Sequence, residues 1–196
     1  MKIRISSHDL NALLKDVTRA TEAKAVVTWM TGVLIETDGD RIKAVCTNST
    51  QTITRYAVCK TDVEGKVLLD AKLLLNVASK LPSCTCVLDA TSGKKIVIKA
   101  EESKTNMALM DADAFVLPAS VEKKFSFTCI ASKLFNAFKN VLYATPVQDT
   151  RATLTGVNIQ SQNDTVHLCG MDGLRIGCFL LRSRSLPPQF LHHPRM

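Results

Sequence analysis

Leu10-Asn11-Ala12-Leu13-Leu14-Lys15-Asp16-Val17-Thr18-Arg19-Ala20-Thr21 is written a second time, 124 positions later, as Leu134-Phe135-Asn136-Ala137-Phe138-Lys139-Asn140-Val141-Leu142-Tyr143-Ala144-Thr145. The ungapped match runs from about residue 10 to residue 49, and Thr31, Gly32, Val33, Ile35 and Asp40 recur as Thr155, Gly156, Val157, Ile159 and Asp164. Each copy opens on an apolar stripe with the i, i+3, i+4, i+7 spacing of one helix face: Leu10, Leu13, Leu14, Val17, then Leu134, Ala137, Phe138, Val141. A weaker copy lies between them at Leu74, Val77, Ala78 and Leu81. One unit is therefore used three times, and the same interval would place a fourth helix at about residue 198, beyond Met196. The chain is expected to stop mid-module.

After the first helix come Gly32–Glu36, Arg41–Cys46 and Thr52–Val58, rich in β-branched residues and separated by the turn signals Asp38-Gly39-Asp40 and Asn48-Ser49. The second unit reads Lys66–Leu69, a helix from Ala71 with Asp70 as N-cap, then Cys84–Asp89, Lys95–Ala100 and Thr105–Leu109, with Ser92-Gly93 as a hairpin turn. The unit is strand, helix and three-stranded meander. Two such units predict an α+β domain with two helices on one side of antiparallel sheet. The expected organisation is a domain over residues 1–122, half of a second over 123–182, and a divergent tail over 183–196. The segment from Asp111 to Pro118, with Glu122, Lys123 and Lys124, reads as the connection between domains.

With 196 residues, 46% of them hydrophobic, the chain can bury a real core. No apolar run approaches the ~20 residues of a membrane span, and Met1-Lys2-Ile3-Arg4 leads into a strand pattern, so a cytoplasmic protein is expected. The seven cysteines are scattered, mostly in strand-like apolar context, and imply no disulfide framework. Cys84-Thr85-Cys86 lacks the second pair that a zinc site needs, and core packing is the better reading. Asp111 and Asp113 read as a turn rather than as paired catalytic carboxylates. No phosphate-binding glycine loop or nucleophile motif occurs, so neither an enzyme nor a bound cofactor or metal is expected.

More than half of the +7 net charge comes from the acid-free segment after Asp172. The placement of the remaining lysines is the more telling feature. Opposite the apolar stripes stand Asn11 and Lys15, Asn76 and Lys80, Asn136 and Lys139, with Asp16 the only acid. Polar, basic helix faces suit a phosphate backbone, although the same pattern also fits a plain solvated face.

Met1-Lys2-Ile3-Arg4-Ile5, Thr31-Gly32-Val33-Leu34-Ile35-Glu36, Ala71-Lys72-Leu73-Leu74-Leu75, Lys80-Leu81-Pro82, Asp111-Ala112 with Phe115, Leu154-Thr155-Gly156-Val157 and Asp172-Gly173-Leu174-Arg175, in this order, closely resemble the bacterial DNA polymerase III beta subunit, the sliding clamp. The resemblance covers about residues 1–182. It implies a noncatalytic processivity factor whose three-domain subunits pair head to tail into a homodimer ring, with helices lining a hole around double-stranded DNA. It also implies DNA polymerase III and a clamp loader as partners. The family's DNA-contacting positions fall on the inner helices and on the loop after the first helix of a domain, and correspond here to Lys24 and Gln148; with the lysines of the helix segments, Lys15, Lys72, Lys80 and Lys139, they make up the candidate DNA-binding residues. The family's pocket for partner tails maps, on its second-domain side, to Leu154, Met171, Gly173, Leu174, Arg175 and Ile176. Met171 stands where the family usually has Thr, Leu174 where it often has His or Tyr, and residues 24–30 replace the usual Arg-Pro-x-Leu-Pro.

The sequence holds no counterpart of the third domain, so ring closure is not expected and the pocket is expected to be half built. The stretch Pro187-Pro188-Gln189-Phe190-Leu191-His192-His193-Pro194 fits nothing in the repeat and reads as the product of truncation, a frame shift or a cloning boundary. A second reading is a degenerate or free-standing clamp fragment that acts only as a protein-binding adaptor.

Overall fold

A computed structural model describes residues 1–21, 27–48, 50–117, 127–162 and 165–182. The chain divides into two units, Met1–Ser120 and Val121–Met196. The first contains β1 (Lys2–Ser6), α1 (Ser7–Val17), β2 (Gly32–Asp38), β3 (Arg41–Thr47), β4 (Thr52–Val58), β5 (Lys60–Val63), β6 (Lys66–Asp70), α2 (Ala71–Ala78), β7 (Thr85–Asp89), β8 (Lys95–Ala100) and β9 (Ser103–Ala108).

The two strand-helix-meander sets exchange their leading strands. β1 pairs antiparallel with β7, from the second set, in the sheet β5-β1-β7-β8-β9, while β6 pairs antiparallel with β2, from the first, in the sheet β4-β3-β2-β6. Strand alternation alone could not reveal this exchange, because it reports which face of a strand is buried and not which neighbour it takes. The strand β5, absent from the sequence reading, covers the free side of β1. The apolar stripes of α1 and α2 are buried: Leu10, Leu14, Val17 and Leu74 are fully enclosed with Ile3, Ile5, Ile35, Ile42, Leu88, Ile96 and Ile98 from both sheets.

Local signals behave as their chemistry requires. Asp70 Oδ1 accepts from the Leu73 amide at 2.7 Å and caps α2. The β2–β3 and β7–β8 connections turn on Gly39 (φ +59°) and Gly93 (φ +72°). Asn48 Oδ1 accepts from the amides of Thr50 and Gln51 in the β3–β4 turn. Cys86 is core, its thiol directed at the Ile5 carbonyl 3.2 Å away, and burial pushes the Cys46 thiol up to about 12 and that of Cys86 to about 11.

The segment after β9 is not a bare connection. Met110 bridges to Leu68, Asp113 pairs with Lys66, and the Phe115 ring meets Trp29 edge-on at 5.5 Å. Trp29, Met110, Ala112 and Phe115 pack with Leu34, Val45 and Leu68 as a small second core on the outer face of the β4-β3-β2-β6 sheet. Asp111 accepts from the Asp113 amide at 2.9 Å, so these two acids are parts of a turn.

In the second unit, α3 (Ala131–Val141) lies on the three-stranded sheet formed by β10 (Asn158–Gln162), β11 (Thr165–Met171) and β12 (Ile176–Arg182). The helix and the last two strands repeat α1, β3 and β4 residue for residue at the offset of 124, as do the 3-10 turns Leu142–Ala144 and Ala152–Thr155. The structural repeat thus extends to Arg182, well past the point where sequence identity fades. Its core is Ala137, Val141, Val166, Leu168 and Leu181. The end of α3 approaches the sheet over a registered glycine pair, Gly170 and Gly177, where the first unit has Cys46 and Ile53. A Cβ at Gly170 would stand 2.7 Å from Thr145 Cγ2 and 2.8 Å from the Val141 carbonyl oxygen.

Candidate functional site

On α1 the residues opposite the buried stripe are His8, Ala12 and Lys15, and Arg19 continues that line in the following 3-10 turn; all four are exposed. Arg19 escaped the sequence reading because it lies beyond the apolar stripe. Asn11 does not belong to this face: it is half-buried, with Oδ1 enclosed and lacking a hydrogen-bond partner among the described residues. Asp16, expected to be the only acid, is matched by Arg55 on β4 at 2.8 Å. Because α1 begins at Ser7, it also carries Asp9, which stands in the first turn, where a carboxylate complements the helix dipole.

On α2, Lys72 and Asn76 are exposed, and α1 packs against α2. Lys80 is exposed as well but lies just past the helix, in the turn where its amide donates to the Val77 carbonyl at 3.0 Å. In the second unit Ser132, Asn136 and Lys139 lie on the exposed face of α3, with Lys133 and Asn140 exposed to one side and Phe135, 68% exposed, to the other. Gln148 is exposed in the loop after α3. Lys24, its counterpart at the offset of 124, lies outside the described residues, as does the tail.

The second cluster is the β11–β12 hairpin end. Met171 and Ile176 are a registered pair, and Asp172-Gly173-Leu174-Arg175 forms the turn between them, with Gly173 at φ +88°. The Asp172 carboxylate organises the turn: Oδ2 accepts from the Arg175 guanidinium at 2.7 and 2.9 Å, and Oδ1 accepts from the amides of Leu174 and Arg175 at 3.0 and 2.7 Å. Hydrogen bonding by the guanidinium, then by the two amides, pulls the Asp172 pKa down to about 2. Leu174 is left 96% exposed and Ile176 67%. The turn brings five of the six expected wall residues together. Leu154 is half-buried in the 3-10 turn over Ala152–Thr155, where its amide donates to the carbonyl of Arg151, whose guanidinium borders Gly173. Arg151 was not among the sequence-selected residues; its amide and guanidinium lower the Asp149 pKa.

Residues 1–118 match the family model described as DNA polymerase III beta subunit, N-terminal domain. The chain belongs to this family. Among curated clamps it is 27% identical to the beta sliding clamp of Synechocystis sp. over 184 residues, covering 90% of this chain and 47% of the relative. It is 21% identical to the clamp of Bacillus subtilis, covering 90% and 49%. The solved sliding clamp of Bacillus subtilis superposes with a TM-score of 0.87 at 20% identity over 96% of this chain and 52% of that one. The Helicobacter pylori beta clamp, solved with 3,4-difluorobenzamide, gives 0.87 at 22% identity over 95% and 52%. These structures share the α+β clamp fold with this chain, which spans about half the length of the curated relatives it matches.

Among the described residues no three His, Cys, Asp or Glu side chains cluster as a metal site, and no helix is long and apolar enough to cross a membrane.

Proposed function

We propose that this chain is a noncatalytic clamp-type processivity component that meets double-stranded DNA through its helix faces and presents the β11–β12 turn to a polymerase or clamp-loader tail in the cytoplasm. The observation that carries the reading is the repeated exposed basic surface, Lys15 on α1, Lys72 on α2 and Lys80 in the turn just past it in the first unit and Lys139 on α3 in the second, on a family fold whose strands take the opposite side of each helix. Long-range attraction to phosphates follows the summed charge: on α1, Arg55 pairs with Asp16 at 2.8 Å, and Asp9 stands in the first turn, at the opposite end of the helix from Lys15. Residues 1–122 are proposed as one clamp domain of two half-units, 123–182 as one half-unit of the next, and 183–196 as a divergent tail. The division between residues 120 and 121 and the offset of 124 support this.

The test is fluorescence anisotropy on a linear duplex across a salt series. Reversing Lys15, Lys72, Lys80 and Lys139 to Glu is expected to lower the slope of log K against log salt by about 0.9 per lysine that meets a phosphate. Reversing Lys99 and Lys104, an exposed registered pair on β8 and β9, is the control and should do less. Equal effects would reduce the attraction to bulk charge. A second reading, an adaptor that binds protein tails alone, is favoured by the exposure of Leu174 and Ile176; tail-peptide binding with no lysine-dependent duplex binding would establish it.

A further inference from the structure

Cys169 on β11 and Cys178 on β12 face each other across the antiparallel pair, on the sheet surface opposite α3, with their sulfur atoms 2.8 Å apart. We propose that Cys169 and Cys178 are a dithiol–disulfide couple that reacts with small disulfides and staples the stem of the β11–β12 hairpin. Three observations carry this. Directly opposed residues of an antiparallel pair hold their Cα atoms about 4.5 or 5.5 Å apart, inside the range a disulfide bridges without moving the backbone. The corresponding pair in the first unit is Val45 and Thr54, so the repeat does not itself dictate sulfur here. Val45 is roofed by Trp29 and Phe115, whereas Cys178 is exposed and Cys169 half-buried, open to a small reagent.

The step balances as thiol–disulfide exchange. The Cys178 thiolate attacks one sulfur of a small disulfide and expels a thiolate, which takes a proton. The Cys169 thiol then loses its proton, attacks Cys178 Sγ and expels the second thiolate. Two protein thiols become one disulfide, and one small disulfide becomes two small thiols. Exposure favours Cys178 as the first attacker, since the hydrogen bond to Cys178 holds Cys169 in its neutral form and raises its pKa. Cys46 and Cys86 are buried in the first unit and are not competitors. The new bond lies two registered rows from Met171 and Ile176, with the Gly170–Gly177 pair between, so oxidation would also stiffen the support of the proposed partner wall; that consequence rests on the partner reading, whereas the bond does not.

The full chain is incubated with oxidised glutathione, alkylated and digested with trypsin without reduction. Cleavage after Arg151, Arg175 and Arg182 places the two cysteines in different peptides, 152–175 and 176–182. The expected product is these two peptides joined, two hydrogens lighter than their sum, from protein that stays monomeric on a non-reducing gel. In Cys178→Ser, Cys169 should instead remain a thiol or a glutathione adduct. Amide exchange at Gly170, Met171, Ile176 and Gly177 should slow about tenfold or more on oxidation of the wild type and not in the variant. Stable glutathione adducts on the wild-type pair, links to Cys129 or to a second chain, or a joined product without slower exchange would each overturn the proposal.

Discussion

Replacing Gly170 by Ala is expected to loosen the second unit and leave the first untouched. The added Cβ would meet the Val141 carbonyl oxygen at 2.8 Å and Thr145 Cγ2 at 2.7 Å. The methyl of Thr145 can rotate aside only by giving up the 2.8 Å hydrogen bond that its Oγ1 donates to the Leu142 carbonyl, and the Val141 carbonyl belongs to the last turn of α3 and moves only with the helix. Overpacking of this kind costs about 1–3 kcal/mol, which at 25 °C is about a 5- to 150-fold rise in the open fraction of the unit. Hydrogen exchange read by mass spectrometry should show that acceleration over α3, β11 and β12. Denaturation followed by Trp29, the only tryptophan and a resident of the first unit, should be unchanged. Gly156→Ala is the control, because nothing lies within 4 Å of its added Cβ. Unaltered exchange in Gly170→Ala, or an equal shift of the Trp29 transition, would refute the argument that this glycine seats α3 on its sheet.

Asp70→Ala removes the cap of α2 and should cost about 1 kcal/mol, lowering the Trp29-monitored melting midpoint by about 4 °C. The hydrogen bonds of Asp172 set its folded pKa below that of a free carboxylate, so its support of the turn is complete above the unfolded value of 3.8 and is lost as pH falls through about 2. Amide chemical shifts of Leu174 and Arg175 should follow a titration centred near that lower value; a midpoint at the ordinary carboxylate position would break the account. Leu174→Asp, at a residue 96% exposed, should leave stability within about 0.5 kcal/mol by urea titration while altering any tail-peptide affinity.

The repeat was legible because helix burial writes a period of 3.6 into the text, and Leu10, Leu14 and Val17 are among the fully enclosed residues. Capping by Asp70 and the glycine turns were legible for equally local reasons. The exchange of β1 and β6 between the two sheets was not, since pairing partners leave no mark on a single strand's alternation. The second core around Phe115 was hidden because Met110, Ala112 and Phe115 are spaced like neither a strand nor a helix. At the candidate site, the lysine faces followed from their position opposite the stripes. Arg55 against Asp16, Arg151 against Gly173 and the Cys169–Cys178 pair arise only from tertiary neighbours or strand register.

The central claim, that the helix faces meet duplex DNA, is tested most directly by lysine footprinting of the full chain. Acetylation is measured at each lysine with and without a saturating linear duplex at low salt. Protection of Lys15, Lys72, Lys80 and Lys139, with Lys95, Lys99 and Lys104 on the strands reacting as in the free protein, is the predicted result. Uniform protection of both sets, or protection of the strand lysines alone, would contradict it.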